Sequence, residues 1–287
     1  MHTDEKILAC VDQSRFADYV ADYAAWVAQR MQAPLEFLHI LSRHPEIATG
    51  VDHSGAIGIG AQETLLTELS SQDETRSRDA RERGRVFLNR LRERAIAAGV
   101  DSPDIRQRRG ALEETLVEQE DGVRLFVLGR RGTAAETTQR DLGRNVERMV
   151  RALHRPILTV TEGFKEPQRV MVAFDGSAAT RQGVEMVAAS PLFQGLTVHL
   201  LMSGKARGDA RKQLDWARQR LEAAGFDAPA WLIPGDAESV IAQTVIAQDI
   251  DLLIMGAYAH SPLRALLLGS KTTDLLRSAR IPTLLMR

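Results

Sequence analysis

The sequence repeats one pattern twice, and this repetition constrains the fold more than any other feature. The run KILACVD (6–12) returns as RVMVAFD (169–175), and a serine follows each aspartate two positions later, at Ser14 and Ser177. In each half, short apolar runs alternate with segments of helical periodicity. The repeat is far too long for a solenoid, so it indicates a tandem duplication of a whole domain.

The alternation of short runs and helical segments predicts five strands in each half. They cover 6–11, 35–41, 105–109, 125–129 and 156–160, and then 169–175, 196–202, 228–234, 251–256 and 281–286. All are mainly apolar except 105–109, which is apolar only at Ile105. Strands that are apolar throughout and alternate with helices predict a parallel sheet covered on both faces. We therefore expect an α/β fold of two tandem Rossmann-like domains, each with a five-stranded parallel sheet flanked by helices. Ligands of such folds lie beyond the carboxyl ends of the strands, where the strand order reverses.

The domain boundaries follow from this pattern. We predict an N-terminal domain over 1–162, a linker over 161–168 and a C-terminal domain over 168–287. The first half is longer because of an insertion over 42–98, which ends in a long helix. Between Glu74 and Arg109 there are eleven arginines against six acids, which is typical of a solvated helix face or of a surface for an acidic partner. Ser14 is expected to cap the first helix.

Composition and charge exclude several classes of function. With 37 basic and 38 acidic residues among 287, the net charge is -1, which provides no global field for nucleic acid or an anionic membrane. No apolar run is long enough to cross a membrane, and the N-terminus does not read as a secretory signal. The single cysteine, Cys10, excludes an intrachain disulfide and a cysteine-rich metal site. We expect a soluble cytoplasmic protein.

Other polar residues do not form a recognisable site. The spacing of His44, Asp52 and His53 fits no metal site, so we predict no metal ligands, and no catalytic residues are assigned. His39 and His199 lie on predicted strands, where we expect hydrogen-bonded core or edge histidines.

A glycine-containing segment in the second half carries the functional signal. The fourth strand ends at Gly256, and the following segment, GAYAHSPLRALLLGSKTTDLL (256–276), contains a Gly-Ser pair that opens a helix. A helix start offers unpaired N–H groups and the positive end of a dipole, which suit a phosphate. Asp175 ends the first strand of this half at the same edge, where a carboxylate can accept hydrogen bonds from ribose hydroxyls or an adenine amine.

These residues resemble the universal stress protein family in its tandem two-domain form. The family's nucleotide motif is a glycine, two residues, a glycine, nine residues, and then glycine with serine or threonine. Gly256 and the Gly269-Ser270 pair fit this motif, whereas Ala259 replaces the second glycine. The run VAFDGS (172–177) is similar to the family's first-strand motif. The resemblance covers nearly the whole chain apart from the 42–98 region.

The resemblance implies a parallel α/β sandwich and binding of ATP, with Mg²⁺ as a possible companion. Asp175 would then contact ribose or adenine, and the backbone of Met202, at the end of the second strand, would contact adenine. The phosphates would be lined by residues of the glycine segment: Gly256, Ala259, Gly269, Ser270, Lys271 and Thr272.

The first half keeps a degenerate version of the same pattern. Asp12 and Ile40 match the first-strand acid and the end of the second strand. The glycine segment has ten residues between its second and third glycines instead of nine, and an arginine replaces the serine or threonine; its positions are Gly129, Gly132, Gly143 and Arg144. This half either binds a nucleotide or serves to pair with the second half.

The resemblance also implies how the halves associate. Family dimers pair through their fifth strands, so 156–160 and 281–286 should lie side by side and make the chain a pseudo-dimer in itself. A further homodimer remains open. We expect a stress-response protein whose second half binds an adenine nucleotide and regulates an unidentified protein partner. Slow ATP hydrolysis and a ligand-free interaction module remain as alternatives.

Overall fold

The structure, a computed structural model, describes residues 5–41, 61–130, 144–204, 208–256 and 281–286. The strands are β1 Lys6–Val11, β2 Leu35–Leu41, β3 Asp104–Arg109, β4 Val123–Gly129, β5 Ile157–Val160, β6 Arg169–Ala173, β7 Thr197–Ser203, β8 Ala230–Ile233, β9 Leu252–Gly256 and β10 Thr283–Met286. The helices are α1 Ala17–Met31, α2 Ala61–Ala97, α3 Leu112–Gln119, α4 Arg144–Ala152, α5 Ala178–Ala189, α6 Ala210–Ala223 and α7 Ala237–Ala247. Within these ranges, no helix has the length and apolar character needed to cross a membrane.

The strands form one sheet of ten, in the order β3-β2-β1-β4-β5-β10-β9-β6-β7-β8. Within each half every pairing is parallel, and both halves have the same doubly wound order. The two halves join through β5 and β10, which run antiparallel with Thr283 opposite Thr159. This confirms the α/β fold and the side-by-side fifth strands. Because the junction is antiparallel, the carboxyl ends of the two sets of parallel strands lie at opposite edges of the sheet.

Two apolar layers cover the two faces of the sheet. Side chains on alternate strand positions, such as Ile7 and Leu8, belong to different layers because successive residues of a strand point to opposite faces. One layer includes residues of α1, α2, α5 and α6, and the other includes residues of α3, α4 and α7. The burial of both faces explains why most of the strands are apolar, whereas the edge strand β3 is polar and partly exposed.

The starts of α1 and α5 differ, although both follow an Asp-x-Ser turn. Ser177 caps α5, and its Oγ accepts a hydrogen bond from the Thr180 N–H. In the first half the expected cap is wrong: α1 begins only at Ala17, and the Ser14 Oγ accepts a bond from the N–H of Phe16 at 3.3 Å. Ser14 therefore stabilises an additional turn before the helix.

The inserted part of the first half contributes a long helix. Helix α2 has 37 residues and is about 55 Å long, whereas its counterpart α6 has 14 residues. Two of its arginines pair with α1: Arg90 with Asp18 at 2.7 Å and Arg94 with Asp22 at 2.6 Å. Part of its basic surface is thus used inside the domain. Residues 42–60, including His44, Asp52 and His53, lie outside the described residues.

The segment between β5 and β6 is attached to both halves. The buried carboxylate of Asp251 accepts hydrogen bonds from the backbone N–H groups of Gln168 and Arg169, both at 2.9 Å. The Nζ of Lys165 lies 2.6 Å from the other Asp251 oxygen. From the first half, the Tyr23 hydroxyl lies 3.4 Å from the Lys165 carbonyl oxygen. These contacts hold the connecting segment against both halves, in addition to the pairing of β5 with β10.

Candidate functional site

The candidate site lies at the carboxyl edge of the second half, where the strand order reverses. Strand β6 has β7 on one side and β9 on the other, so the chain leaves β6 in one direction and later returns on its other side. Such a reversal opens a crevice beyond the strand ends. Asp175 follows the last residue of β6 by two positions, and Gly256 is the last residue of β9. The structure thus brings Asp175 and Gly256 to the same edge.

The carboxylate of Asp175 is held by its own turn. Its Oδ1 accepts hydrogen bonds from the Ser177 N–H at 2.9 Å and from the Thr180 hydroxyl at 2.8 Å. Within the described residues, Oδ2 has no hydrogen-bond partner, and the residue is exposed. One oxygen therefore fixes the orientation of the group, and the other is available to a ligand.

Gly256 packs against the first turn of α5. A Cβ placed on it would lie 3.5 Å from Ala179 Cβ and 3.5 Å from Thr180 Cγ2, which is ordinary van der Waals contact. Thr180 therefore bonds to Asp175, and its methyl group lies beside the strand end from which the glycine segment starts. Thr180 was not among the predicted site residues. The sequence signal that could have identified it is a threonine in the first turn of the helix, at the position where the first half has Ala17.

The remaining predicted site residues of the second half are placed as follows. Met202 lies inside β7 and is buried opposite Leu232; the strand ends at Ser203, so Met202 is not its last residue as predicted. A backbone contact from Met202 to adenine stays a prediction. The other phosphate candidates lie outside the described residues: Ala259, Gly269, Ser270, Lys271 and Thr272.

The turn after Asp175 is supported from α5 and α6. Gly176 has φ of +77°, a conformation that favours glycine, and a Cβ there would lie 1.8 Å from the side-chain oxygen of Gln213 on α6. Arg181 donates from Nε to the Gly176 carbonyl at 3.1 Å, and its guanidinium lies 4.9 Å from the ring centroid of Trp216. The backbone beside Asp175 is therefore fixed by two helices.

The corresponding edge of the first half is built differently. The Asp12 Oδ1 accepts from the Ser14 N–H at 3.2 Å, which matches the second half. Gly129 ends β4, and Arg130, which follows it, donates from Nη2 to the Thr283 hydroxyl of β10 at 3.3 Å. This arginine thus contacts the junction between the halves. Arg144 is the first residue of α4, and Gly132 and Gly143 lie outside the described residues.

The strand register corrects the predicted match between Ile40 and Met202. Val11 and Phe174 are equivalent because they precede Asp12 and Asp175. His39 lies opposite Val11, and Leu201 lies opposite Ala173, so Met202 is the residue next to Phe174 in the same register. The residue equivalent to Met202 is therefore His39 rather than Ile40. His39 is buried, with its Nδ1 2.9 Å from the Val11 carbonyl oxygen. Its ring packs edge-on against Phe87 of α2 at a centroid distance of 5.4 Å. In the first half this position is therefore filled by a histidine–phenylalanine pair.

Two further titratable groups are a buried histidine and a half-buried cysteine. Neither ring nitrogen of His199 has a hydrogen-bond partner in the described part of the chain, so the expectation of a hydrogen-bonded histidine is wrong here, although it holds for His39. Burial lowers the pKa of His199. Burial, followed by the nearby charge of Glu36, raises the pKa of the Cys10 thiol. Among the described residues, no three or more His, Cys, Asp or Glu side chains are grouped as metal ligands.

Comparisons with known proteins agree with this architecture. The family model for the universal stress protein family matches residues 5–161 and 202–287. Universal stress protein Slr1230 of Synechocystis sp. is 33% identical over 286 residues, which cover 99% of this chain and 100% of that protein. The chain belongs to the universal stress protein family.

Solved structures with low sequence identity share the fold over the whole chain. A universal stress protein from Archaeoglobus fulgidus matches with a TM-score of 0.69 at 16% identity, over 99% of this chain and 97% of that one. A functionally unknown protein from Pseudomonas aeruginosa matches with a TM-score of 0.56 at 15% identity, over 98% and 92% of the two chains. The tandem arrangement of this chain is thus found in other proteins as well.

Proposed function

We propose that this universal stress protein binds an adenine nucleotide, with ATP as the preferred ligand, at the carboxyl edge of its second half. Occupancy of this edge would then regulate the binding of a protein partner. The observation that supports the proposal most directly is the position of Asp175 and Gly256, which follow neighbouring strands on the two sides of the reversal in strand order.

The two residues suit different parts of a nucleotide. The exposed Oδ2 of Asp175 can accept hydrogen bonds from ribose hydroxyls or from the adenine amine. A carboxylate repels phosphate, so the polyphosphate belongs on the side of Gly256. There the sequence continues to Gly269, Ser270, Lys271 and Thr272, which are the proposed phosphate ligands. Any Mg²⁺ would arrive with the nucleotide and be bound by its phosphates.

The differences between the halves favour the second half. In the first half, His39 and Phe87 occupy the region equivalent to Met202, and Arg130 is bonded to Thr283. At the positions equivalent to Gly176 and Thr180 the first half has Gln13 and Ala17. We therefore propose one nucleotide per chain.

Isothermal titration of the whole chain with ATP and with tripolyphosphate tests this proposal. Asp175→Ala should weaken ATP binding and leave tripolyphosphate binding nearly unchanged, because the carboxylate contacts the nucleoside. Gly269→Asp should abolish both, because a carboxylate beside the phosphates repels them. If Asp12→Ala weakens ATP binding as much as Asp175→Ala does, the nucleotide lies in the first half and the assignment is wrong.

The same protein preparations separate the alternatives. Release of phosphate and ADP by the purified chain, absent in the Gly269→Asp variant, would identify a slow ATPase. Failure to bind ATP in titration, with no nucleotide released when the purified chain is denatured, would identify a ligand-free interaction module.

A further inference from the structure

Thr180 lies close to both the proposed nucleoside-binding part and the proposed phosphate-binding part of the site. It lies in the first turn of α5, and only 1% of its surface is exposed. Its hydroxyl faces Asp175, and its methyl group faces Gly256. The hydroxyl of this buried side chain therefore bonds to the acid after β6, and its methyl group lies on the side of the glycine at the end of β9, 3.5 Å from where a Cβ on that glycine would be.

The hydroxyl has one proton to donate, and the carboxylate is its strongest acceptor. Thr180 Oγ1 lies 2.8 Å from Asp175 Oδ1, compared with 3.2 Å from the Ser177 carbonyl oxygen and 3.3 Å from Ser177 Oγ. Hydrogen bonds to an ionised acceptor are shorter and stronger than neutral ones, which agrees with these distances. The Ser177 N–H completes the pair of donors on Oδ1. Together they hold Oδ1, and Oδ2 makes no hydrogen bond to the described residues.

The first half lacks this device. Asp12, Ser14 and Ala17 have the same spacing as Asp175, Ser177 and Thr180, so alanine stands where the second half has the hydroxyl. The two acids are therefore held by different sets of groups, although the surrounding strands are equivalent.

We infer that Thr180 is a positioning residue for nucleotide binding: its hydroxyl holds the Asp175 carboxylate in the orientation that receives the nucleoside. This inference rests on the proposed function. It assigns different roles to the two groups of one side chain. The hydroxyl acts, through Asp175, on the nucleoside end of the ligand. The methyl group lies beside the strand that leads to the proposed phosphate ligands.

Two substitutions separate the two parts of the side chain. Thr180→Val keeps the contact with Gly256 and removes the hydroxyl, whereas Thr180→Ser keeps the hydroxyl and removes the methyl group. Thr180→Val should weaken ATP binding about tenfold and change tripolyphosphate binding less than about twofold. Thr180→Ser should retain the wild-type affinity for ATP. Thr244→Val is the matched control, because Thr244 is also buried in a helix and, among the described residues, its hydroxyl bonds to the Val240 carbonyl alone, at 2.7 Å.

A double-mutant cycle shows whether Thr180 acts through Asp175. If it does, adding Thr180→Val to Asp175→Ala costs no further ATP affinity. Circular dichroism and thermal unfolding of each variant establish that it is folded.

Several results would overturn the inference. One is wild-type ATP affinity in Thr180→Val; others are equal losses in the valine and serine variants, or equal losses for ATP and tripolyphosphate. If the wild-type chain binds tripolyphosphate and ATP equally well, Asp175 does not read the nucleoside and the role of Thr180 is also wrong. If the wild-type chain binds neither, the proposed function fails first, and this inference fails with it.

Discussion

The carboxylate of Asp251 lies 2.6 Å from the Nζ of Lys165, and this contact attaches the connection between the halves to the second half. The same carboxylate accepts two backbone N–H groups, from Gln168 and Arg169. Burial opposes ionisation of Asp251, but the bonds from Lys165 and the two N–H groups outweigh it, so its pKa lies below the usual value. One buried charge therefore holds three groups of the connecting segment against the second half.

Asp251→Asn should lower the free energy of unfolding at pH 7 by about 2–3 kcal/mol, because it leaves buried donors without their charged acceptor. A lowered pKa stabilises the folded state above the unfolded value of about 3.9 and loses this effect as the pH falls through the folded value. The difference between variant and wild type should therefore shrink below about pH 4. Urea titrations at pH 7 and at lower pH measure it.

Asp249→Asn is the control for that experiment. Asp249 also pairs with Lys165 and with Arg169, but it is largely exposed, so its loss should cost less than about 1 kcal/mol. Equal losses from the two substitutions would show that burial of Asp251 is irrelevant.

His199 should make the stability of the fold sensitive to mild acid. Its ring is stacked on Trp231 at 4.9 Å without hydrogen-bond partners, and burial lowers its pKa, with Asp227 raising and Arg169 lowering it to smaller extents. As the pH is lowered below about 6.5, this histidine binds a proton in the unfolded chain before it does so in the folded chain. The free energy of unfolding therefore falls with decreasing pH, by at most about 1.4 kcal/mol per pH unit. His199→Phe keeps the stacked ring and should remove this slope between pH 7 and 5 in thermal unfolding. An unchanged pH dependence of stability in His199→Phe would show that groups other than His199 cause it.

A side chain at Gly176 should be tolerated only at a cost in stability. Its φ of +77° strains any L-residue, and a Cβ would displace the Gln213 side chain. Gly176→Ala should cost about 1 kcal/mol in unfolding free energy and also weaken ATP binding through the turn that holds Asp175. Gly122→Ala is a suitable control, because a Cβ on Gly122 has no atom within 4 Å. Full affinity for ATP in Gly176→Ala would show that this turn does not contribute to nucleotide binding.

Cys10 should be inert in the folded protein. Thiol reagents attack the thiolate, and burial and the charge of Glu36 raise the pKa of this thiol. A disulfide reagent should label it slowly in native buffer and completely in denaturant, as followed by absorbance or mass spectrometry. Rapid labelling under native conditions would mean that the end of β1 opens readily.

The sequence was sufficient for the elements and their order, and it was not sufficient for the details of the site. Apolar runs such as 6–11 and 251–256 identified strands because burial on both faces leaves no room for polar positions. The equivalence of His39 with Met202 was missed although the sequence contains it, because these two residues have the same separation along the chain as Asp12 and Asp175; the strand register confirms it. Ser14 and Ser177 have the same local sequence signal, yet only Ser177 caps a helix, because the first half makes an extra turn before α1.

Because β5 and β10 pair antiparallel, the carboxyl ends of the strands form two separate edges, one in each half, and the two edges differ in their residues. The edge beside Asp175 and the edge beside Asp12 lie at opposite ends of the strands. The two edges are joined through the strands, at the pairing of Thr159 with Thr283, and through the connection that Tyr23 and Asp251 hold from the two sides.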